Sequence, residues 1–467
     1  MKNDFLKPLF IALFFTGCST TDLPELAPGD VPTQWQAAAA STAREWPDQN
    51  WWTEFDNEEL SSYLEQVKSN NFDLAINDRN LTSAQILLRD AGFDLLPNPV
   101  VSISTQPSYS EVRVDGATQR GSSGSDLVLG VAASYTNILS KPAIYDGELA
   151  DYDYRVAQAA DVSLNTFSTA ASVYFQLLLT RDRIEFTEQN VENAQTIYEI
   201  AQARVDSGVA VPIEALQQQI SLEQQRISLQ NLRQDEISLR GSLALLSGQS
   251  MQGFNLDGTT LDAIAIPDIQ PGLPSELLSR RPDLVLAEAD LRSARANVDV
   301  VKTSFLPQIS LTASGSTSSS SLSALVANPD SVIALSSSIA QVLLDNGQRG
   351  RNTDLATLTL ENSLSRYRAA VINAFNEIEI ILGNVAFLAA QSEVAIRNLD
   401  AAEESFRIAE LRYQEGVVDF ETVLNTQNVL FQTRSSYLDS KLAQLNVAVA
   451  LYQALGGGWE IAERSAI

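Results

Sequence analysis

The residues able to do chemistry are few in this chain of 467 residues. Histidine is absent, which removes the commonest general base and the commonest metal ligand. Cys18 is the only cysteine, so neither an intrachain disulfide nor a cysteine metal site can form. Ser–Lys or carboxylate catalysis remains possible in principle, but no clustered pattern supports either. The sequence therefore predicts no enzyme, no metal and no cofactor.

Cys18 has a chemistry of its own. Lys2 and Lys7 make a weakly basic start, and Leu9 to Phe15 is a short apolar core. It is too short to span a bilayer of ~30 Å and reads as a secretory signal over residues 1–17. Phe15-Thr16-Gly17-Cys18 is similar to a bacterial lipobox, with Phe15 where Leu is usual. The expectation is that the Cys18 thiol is acylated, palmitate included, and becomes an outer-membrane lipid anchor. By analogy with the lipoproteins this lipobox resembles, Ser19, rather than Asp, implies delivery to the outer membrane. A plain cleaved signal with an incidental cysteine is the alternative.

Composition narrows the partners. Net charge is −27, so phosphates could not be neutralised and no nucleic-acid partner is expected. An acidic surface or lumen attracts cations instead.

The elements that position everything else come in two copies. From Leu284, small and apolar residues recur at Ala287, Leu291, Ala294, Val298, Val301 and Phe305, a heptad seam following Arg281-Pro282-Asp283. Pro282 suits a first helical turn. After Pro307 the alternation of Ile309, Leu311 and Ala313 switches to strand period. Subtracting 210 finds Asp73, Leu74, Leu81, Ala84, Leu88, Ala91 and Leu95 in the same places. Adding 208 carries Val191, Ala194, Tyr198, Ala201, Val205 and Gly208 onto Leu399, Ala402, Phe406, Ala409, Tyr413 and Gly416.

The organisation follows. Residues 18–50 form a lipidated tether. Residues 51–250 form the first repeat, with a helix, strands at about 100–110 and 126–135, and a long helical hairpin whose tip lies near 204–217. Residues 111–126, rich in Gly and Ser, read as a loop. A linker spans 251–274. Residues 275–456 form the second repeat, with a helix at 282–305, strands at about 307–316 and 332–344, and a hairpin tip near 412–425. Residues 457–467 are a tail. Trp51, Trp52 and Phe55 read as core. The first long helix, from about Leu149 to Val205, would be a rod of roughly 85 Å.

Short strands with one apolar and one small polar face suit a membrane barrel. Four per chain cannot close one, and lipid tolerates no open edge, so several chains would have to pool them. A soluble coiled-coil protein would give the same helical pattern.

Specific stretches carry a resemblance. They are Leu277-Leu278-Ser279-Arg280-Arg281-Pro282-Asp283-Leu284, Phe305-Leu306-Pro307-Gln308-Ile309-Ser310-Leu311, Arg412-Tyr413-Gln414-Glu415-Gly416, Val423-Leu424-Asn425-Thr426-Gln427 and Ala454-Leu455-Gly456-Gly457-Gly458-Trp459. Through them the chain resembles the TolC-like outer membrane factors, within them the NodT-type efflux lipoproteins. The resemblance runs from Cys18 to Trp459. It implies a homotrimer with a twelve-stranded membrane β-barrel and a long-helix α-barrel. It also implies docking on a periplasmic adaptor and an inner-membrane pump of RND type, and export of drugs or other small molecules. A type I protein-secretion duct of the same fold is one alternative, and a lipid-anchored periplasmic scaffold without a pore is another.

The resemblance places the gate and adaptor-docking site at the hairpin tips, around Arg204, Gly208, Pro212 and Glu214, and around Arg412, Gly416, Asp419, Glu421 and Asn425. Asn425 stands where the family commonly has Asp. Asp419 and Glu421 could supply negative charge there instead; alternatively they are helix-entry residues, Asp419 at an N-cap position and Glu421 complementing the helix dipole. Ser134 to Asp146 lacks the family's acidic-aromatic-glycine turn.

Overall fold

A computed structural model describes residues 32, 35–36, 47–114, 117–258, 260–269, 274–319, 330–415, 417–418 and 420–459. A 3-10 turn at Trp51–Phe55 precedes α1 (Glu58–Asn70) and α2 (Phe72–Asp94). Strands β1 (Asn98–Val114) and β2 (Ala117–Tyr135) lead into α3 (Lys141–Asp206) and α4 (Pro212–Leu246). After the linker come α5 (Pro282–Thr303), β3 (Gln308–Ser319), β4 (Asp330–Ala340), α6 (Gln348–Gln414) and α7 (Phe420–Ala454). The chain divides into two compact units, one centred on 97–144 and 294–360, the other on the remaining helices and linker.

The first unit holds an antiparallel sheet in the order β1-β2-β3-β4. Residues opposite one another across such a ladder share a face. Val101, Val131, Gly315 and Ile333 are matched across all four strands, as are Pro99, Ala133, Ala313 and Leu335. Ile103 and Leu129, and Ile309 and Ile339, fall on the same side. That face is apolar. The opposite face aligns Ser102, Gly130, Ser316 and Val332, and Ser134, Thr312 and Ser336. It is built mainly of small and hydroxyl side chains, with Val100, Val128 and Val332 among them. Ile333 and Leu335 are 90% and 84% exposed.

Three expectations change here. The loop read at 111–126 is strand: β1 runs to Val114, β2 starts at Ala117, and these two residues pair. Backbone ladder bonds form whatever the side chains are, so a Gly/Ser-rich stretch extends a hairpin once its partner is in register. The last strand ends at Ala340, not at 344. Ala340 pairs with Gln308, the first residue of β3, and Pro307 before it has no N–H to extend the ladder, so 341–344 have no partner there. The seam also stops early. Bonds from Ser304, Phe305 and Leu306 N–H to the carbonyls three residues back tighten the end of α5, and Phe305 is half exposed.

The second unit is built on α3. Arg181 pairs with Glu236 at 3.0 Å and Arg233 with Glu188 at 2.8 Å, joining α3 to α4. Arg183 pairs with Asp439 at 2.6 Å, and the Arg434 guanidinium lies 3.8 Å from the Phe186 ring centroid, joining α3 to α7. The core sits at mid-helix, where Ala170, Tyr174, Phe175 and Leu178 meet Trp51, Trp52, Phe55, Leu64, Leu243 and Tyr452. Both tryptophans are fully enclosed, with Trp51 stacked on Tyr452 at 5.0 Å. The linker is stitched down by polar contacts. Glu59 accepts from Gly258 N–H (2.9 Å), Asp182 from Leu261 N–H (2.8 Å), and Asp262 from the Tyr437 hydroxyl (2.9 Å).

The repeat is visible in how return helices end. Gly248 and Gly456, 208 apart, both have positive φ. A Cβ on Gly248 would collide with the Asn70 carbonyl oxygen, and one on Gly456 with that of Arg280. The next residue in each copy secures the same point. Asn71 Nδ2 donates to Leu246 O at 2.8 Å, and Arg281 Nη1 donates to Ala454 O at 3.2 Å. Orphan carbonyls at both helix ends thus gain a side-chain donor. Arg281 also binds Asp283 through Nε (2.9 Å) and Nη2 (2.8 Å), and Glu377 at 2.7 Å. The Arg281-Pro282-Asp283 motif is a structural clasp.

Candidate functional site

The hairpin tips are where the polypeptide turns without a core. In the first, the N–H groups of Val209 and Ala210 both bond to Arg204 O, at 2.9 and 3.1 Å, and Gly208 has φ 75°. This is a glycine-terminated helix end, left-handed at the glycine. Val211 is the N-cap of α4 and offers no side-chain bond, while Pro212 begins the helix and Glu214 lies in its first turn. Pro fits there because the first amides have no helical partner, and an acid there complements the helix dipole. In the second tip Val417 N–H bonds to Arg412 O at 2.8 Å, the same closure 208 residues on. Glu421 lies in the first turn of α7.

The predicted tip residues are on the surface. Arg204, Pro212, Glu214, Arg412, Glu421 and Asn425 are all exposed. No side-chain hydrogen bond or ion pair joins any of them to another described residue. Gly416, Asp419 and Cys18 lie outside the described residues. What each tip buries is small: Ala215 in the first and Val423 in the second, again 208 apart, are 4% and 8% exposed. What each tip presents is apolar. Val209 and Val417 stand out beside the turn, with Val211, Ile213 and Leu216 on the first. The charged residues drew attention in the sequence; the exposed valines did not, although their shared offset was there to be found.

No group of three or more acidic or sulfur ligands is placed to hold a metal among the described residues. Acids elsewhere are tuned by packing. Burial pushes the Asp182 carboxyl up, against the lowering effect of the Leu261 N–H bond. Burial also raises Asp161, with Asp283 beside it adding to the shift.

The match to known proteins covers both halves. The outer membrane efflux protein family matches residues 63–249 and again 273–457, so each repeat is one copy of the family's unit. The chain belongs to the outer membrane efflux protein family. It is an outer-membrane efflux channel protein. Among its relatives, the pyoverdine export outer membrane protein OpmQ of Pseudomonas putida is 30% identical over 463 residues, 97% of each chain. The cation efflux system protein CusC of Escherichia coli is 26% identical, over 97% of this chain and 99% of that one. In fold, the chain is similar to the Campylobacter jejuni CmeC outer membrane channel, with a TM-score of 0.83 at 21% identity over 96% of each chain.

Proposed function

We propose that three copies of this chain close one passive duct through the outer membrane and periplasm. The observation that carries this is the four-stranded sheet. It has one apolar face, one small hydroxyl face, and edges at β1 and β4 that have no partner strand among the described residues. A lipid-embedded sheet must close on itself. Three copies would give twelve strands, enough for an open lumen lined by the Ser and Thr face. Exposed apolar side chains on α2 (Ile76, Ile86, Leu87) and α6 (Leu358, Ile372, Ile380) support burial against neighbouring copies. One window of α6 is apolar enough to cross a membrane by length and composition, and 33% of it is buried within the chain. We assign that apolarity to packing between copies.

Cys18 anchors the N-terminus through acyl chains. The two tips, with Val209 and Val417 exposed, dock a periplasmic adaptor and hold the gate, and Arg204, Glu214, Arg412 and Glu421 supply its charge. An inner-membrane pump, of RND type, supplies the energy, and the chain itself does no chemistry. Relatives named for pyoverdine export, cation efflux and toluene efflux support a duct whose cargo is a small molecule chosen elsewhere in the assembly.

Planar-bilayer recording tests this. Purified protein should show discrete conductance steps, made more frequent by Glu421→Gln with Arg412→Gln at the tip. A protein that never conducts, with or without those changes, is no duct. Cys18→Ser should abolish acyl labelling while leaving the oligomer assembled; unchanged labelling would remove the lipid anchor from this reading.

A further inference from the structure

The junction between β4 and α6 presents apolar residues on a braced segment. Val342, Leu343 and Leu344 follow the strand directly and are 57%, 84% and 94% exposed. An unrestrained segment of this composition would fold its side chains under. Here both ends are tied. Gln341 Nε2 donates to Phe305 O at 3.0 Å. Arg349 Nη2 donates to Val342 O at 2.7 Å and its Nε pairs with Asp345 at 2.6 Å. Asp345 in turn accepts from the N–H groups of Gly347 (3.1 Å) and Arg349 (3.0 Å). The same guanidinium lies 5.5 Å from the Phe305 ring centroid. Arg349 thus fixes the segment through Val342 O, Asp345 and the Phe305 ring and leaves the three apolar side chains outside.

The first repeat has a counterpart. Lys141, 208 residues before Arg349, holds its ammonium 5.1 Å from the Tyr135 ring centroid. Tyr135 is matched with Leu311 on the apolar face of the sheet, at the end where β2 gives way to α3. Beyond Arg349, Arg351 is exposed and donates to Asn346 O at 2.8 Å. Aromatic rings paired with cations, next to an apolar sheet face, are what a bilayer's headgroup boundary holds. They stand out in a chain with 31 basic and 58 acidic residues.

We propose that Val342, Leu343 and Leu344 form a wedge seated in the periplasmic leaflet of the outer membrane, with phosphodiester headgroups beside Arg351 and Lys141. The occupant is lipid because the wedge continues the apolar face that ends at Ile339, and the cations beside it match phosphate. Arg349 is a positioning residue: it holds the wedge out. This rests on the barrel placement proposed above.

The test separates the two. Full-length protein carrying Cys18→Ser receives a single bimane label at Leu344→Cys or at Leu335→Cys in the strand. Each is reconstituted in phosphatidylethanolamine–phosphatidylglycerol vesicles with a nitroxide near the glycerol or near the chain end. The Leu344 site should lose most emission to the shallow nitroxide and the Leu335 site to the deep one. Arg349→Gln should weaken quenching at Leu344 and leave Leu335 unchanged. Quenching at Leu335 with none at Leu344 overturns the wedge and keeps the barrel. Quenching at neither overturns both. Efficient disulfide crosslinking between copies through Leu344→Cys, without lipid quenching, assigns the segment to a neighbouring copy and overturns the wedge.

Discussion

Asn71 and Arg281 perform one task with different side chains. Each reaches back to the last carbonyls of a return helix, Asn71 to Leu246 and Arg281 to Ala454. Arg281 is the more entangled, since Asp283 and Glu377 also depend on it. Arg281→Met should therefore lower stability by about 1–3 kcal/mol, the cost of stranding partly buried acceptors. Urea unfolding followed by the fluorescence of the core tryptophans reads this directly. Glu377→Gln in the same background should recover part of the loss. Asp182 makes a second, pH-dependent case. Its carboxyl is raised by burial, so the folded state binds its proton more tightly than the unfolded chain does. Its contribution then improves as pH falls through the window between the unfolded and the raised folded value. Asp182→Asn keeps an acceptor for Leu261 N–H and should flatten that slope in urea titrations at several pH values. Asp182→Ala leaves the amide unpaired and should destabilise at every pH. Asp182 was not legible as important in the sequence. The Arg-Pro-Asp triplet was conspicuous, but only the fold shows that its arginine answers an asparagine 210 residues earlier.

At the level of elements, the sequence was most informative where period and offset agree. Gly208, Gly248 and Gly456 set the ends of three helices, and the seam of α5 is buried at Leu284, Leu291, Ala294 and Val298. It was least informative in the sheet. Ser- and Gly-rich strand carries no hydrophobic alternation, so its extent depends on pairing with a neighbour that local pattern cannot reveal. The tip was legible as a turn, but its exposed valines drew no notice because single exposed apolar residues are ordinary. The glycines themselves can be ranked. Gly208 has positive φ with nothing within 4 Å of a Cβ, whereas Gly248 has positive φ and a carbonyl in the way. Gly208→Ala should cost on the order of 1 kcal/mol, from backbone strain alone. Gly248→Ala should cost clearly more, because α1 must move from the end of α4. Thermal melts of the two variants side by side check the order; equal shifts would contradict it.

The whole molecule is acidic, with a net charge of −27, and wears much of its apolar surface outside. A single copy buries a core around the middle of α3 and leaves much of its sheet and several helix faces exposed. That division was partly legible, since four strands per chain could not close. Which helix faces stay open was not, because a seam between helices of one chain and a seam between chains have the same period.

The strand edges at β1 and β4, without a partner strand among the described residues, bear on inheritance. If three copies must join edge to edge, one subunit with a spoiled edge disables the ring that includes it. A cell making sound and spoiled subunits in equal amounts would then keep only roughly one ring in eight wholly sound, given random closed assembly. Lesions in β1 or β4 would behave as dominant alleles, while a lesion that stops the chain from folding at all, and so from joining, would be recessive.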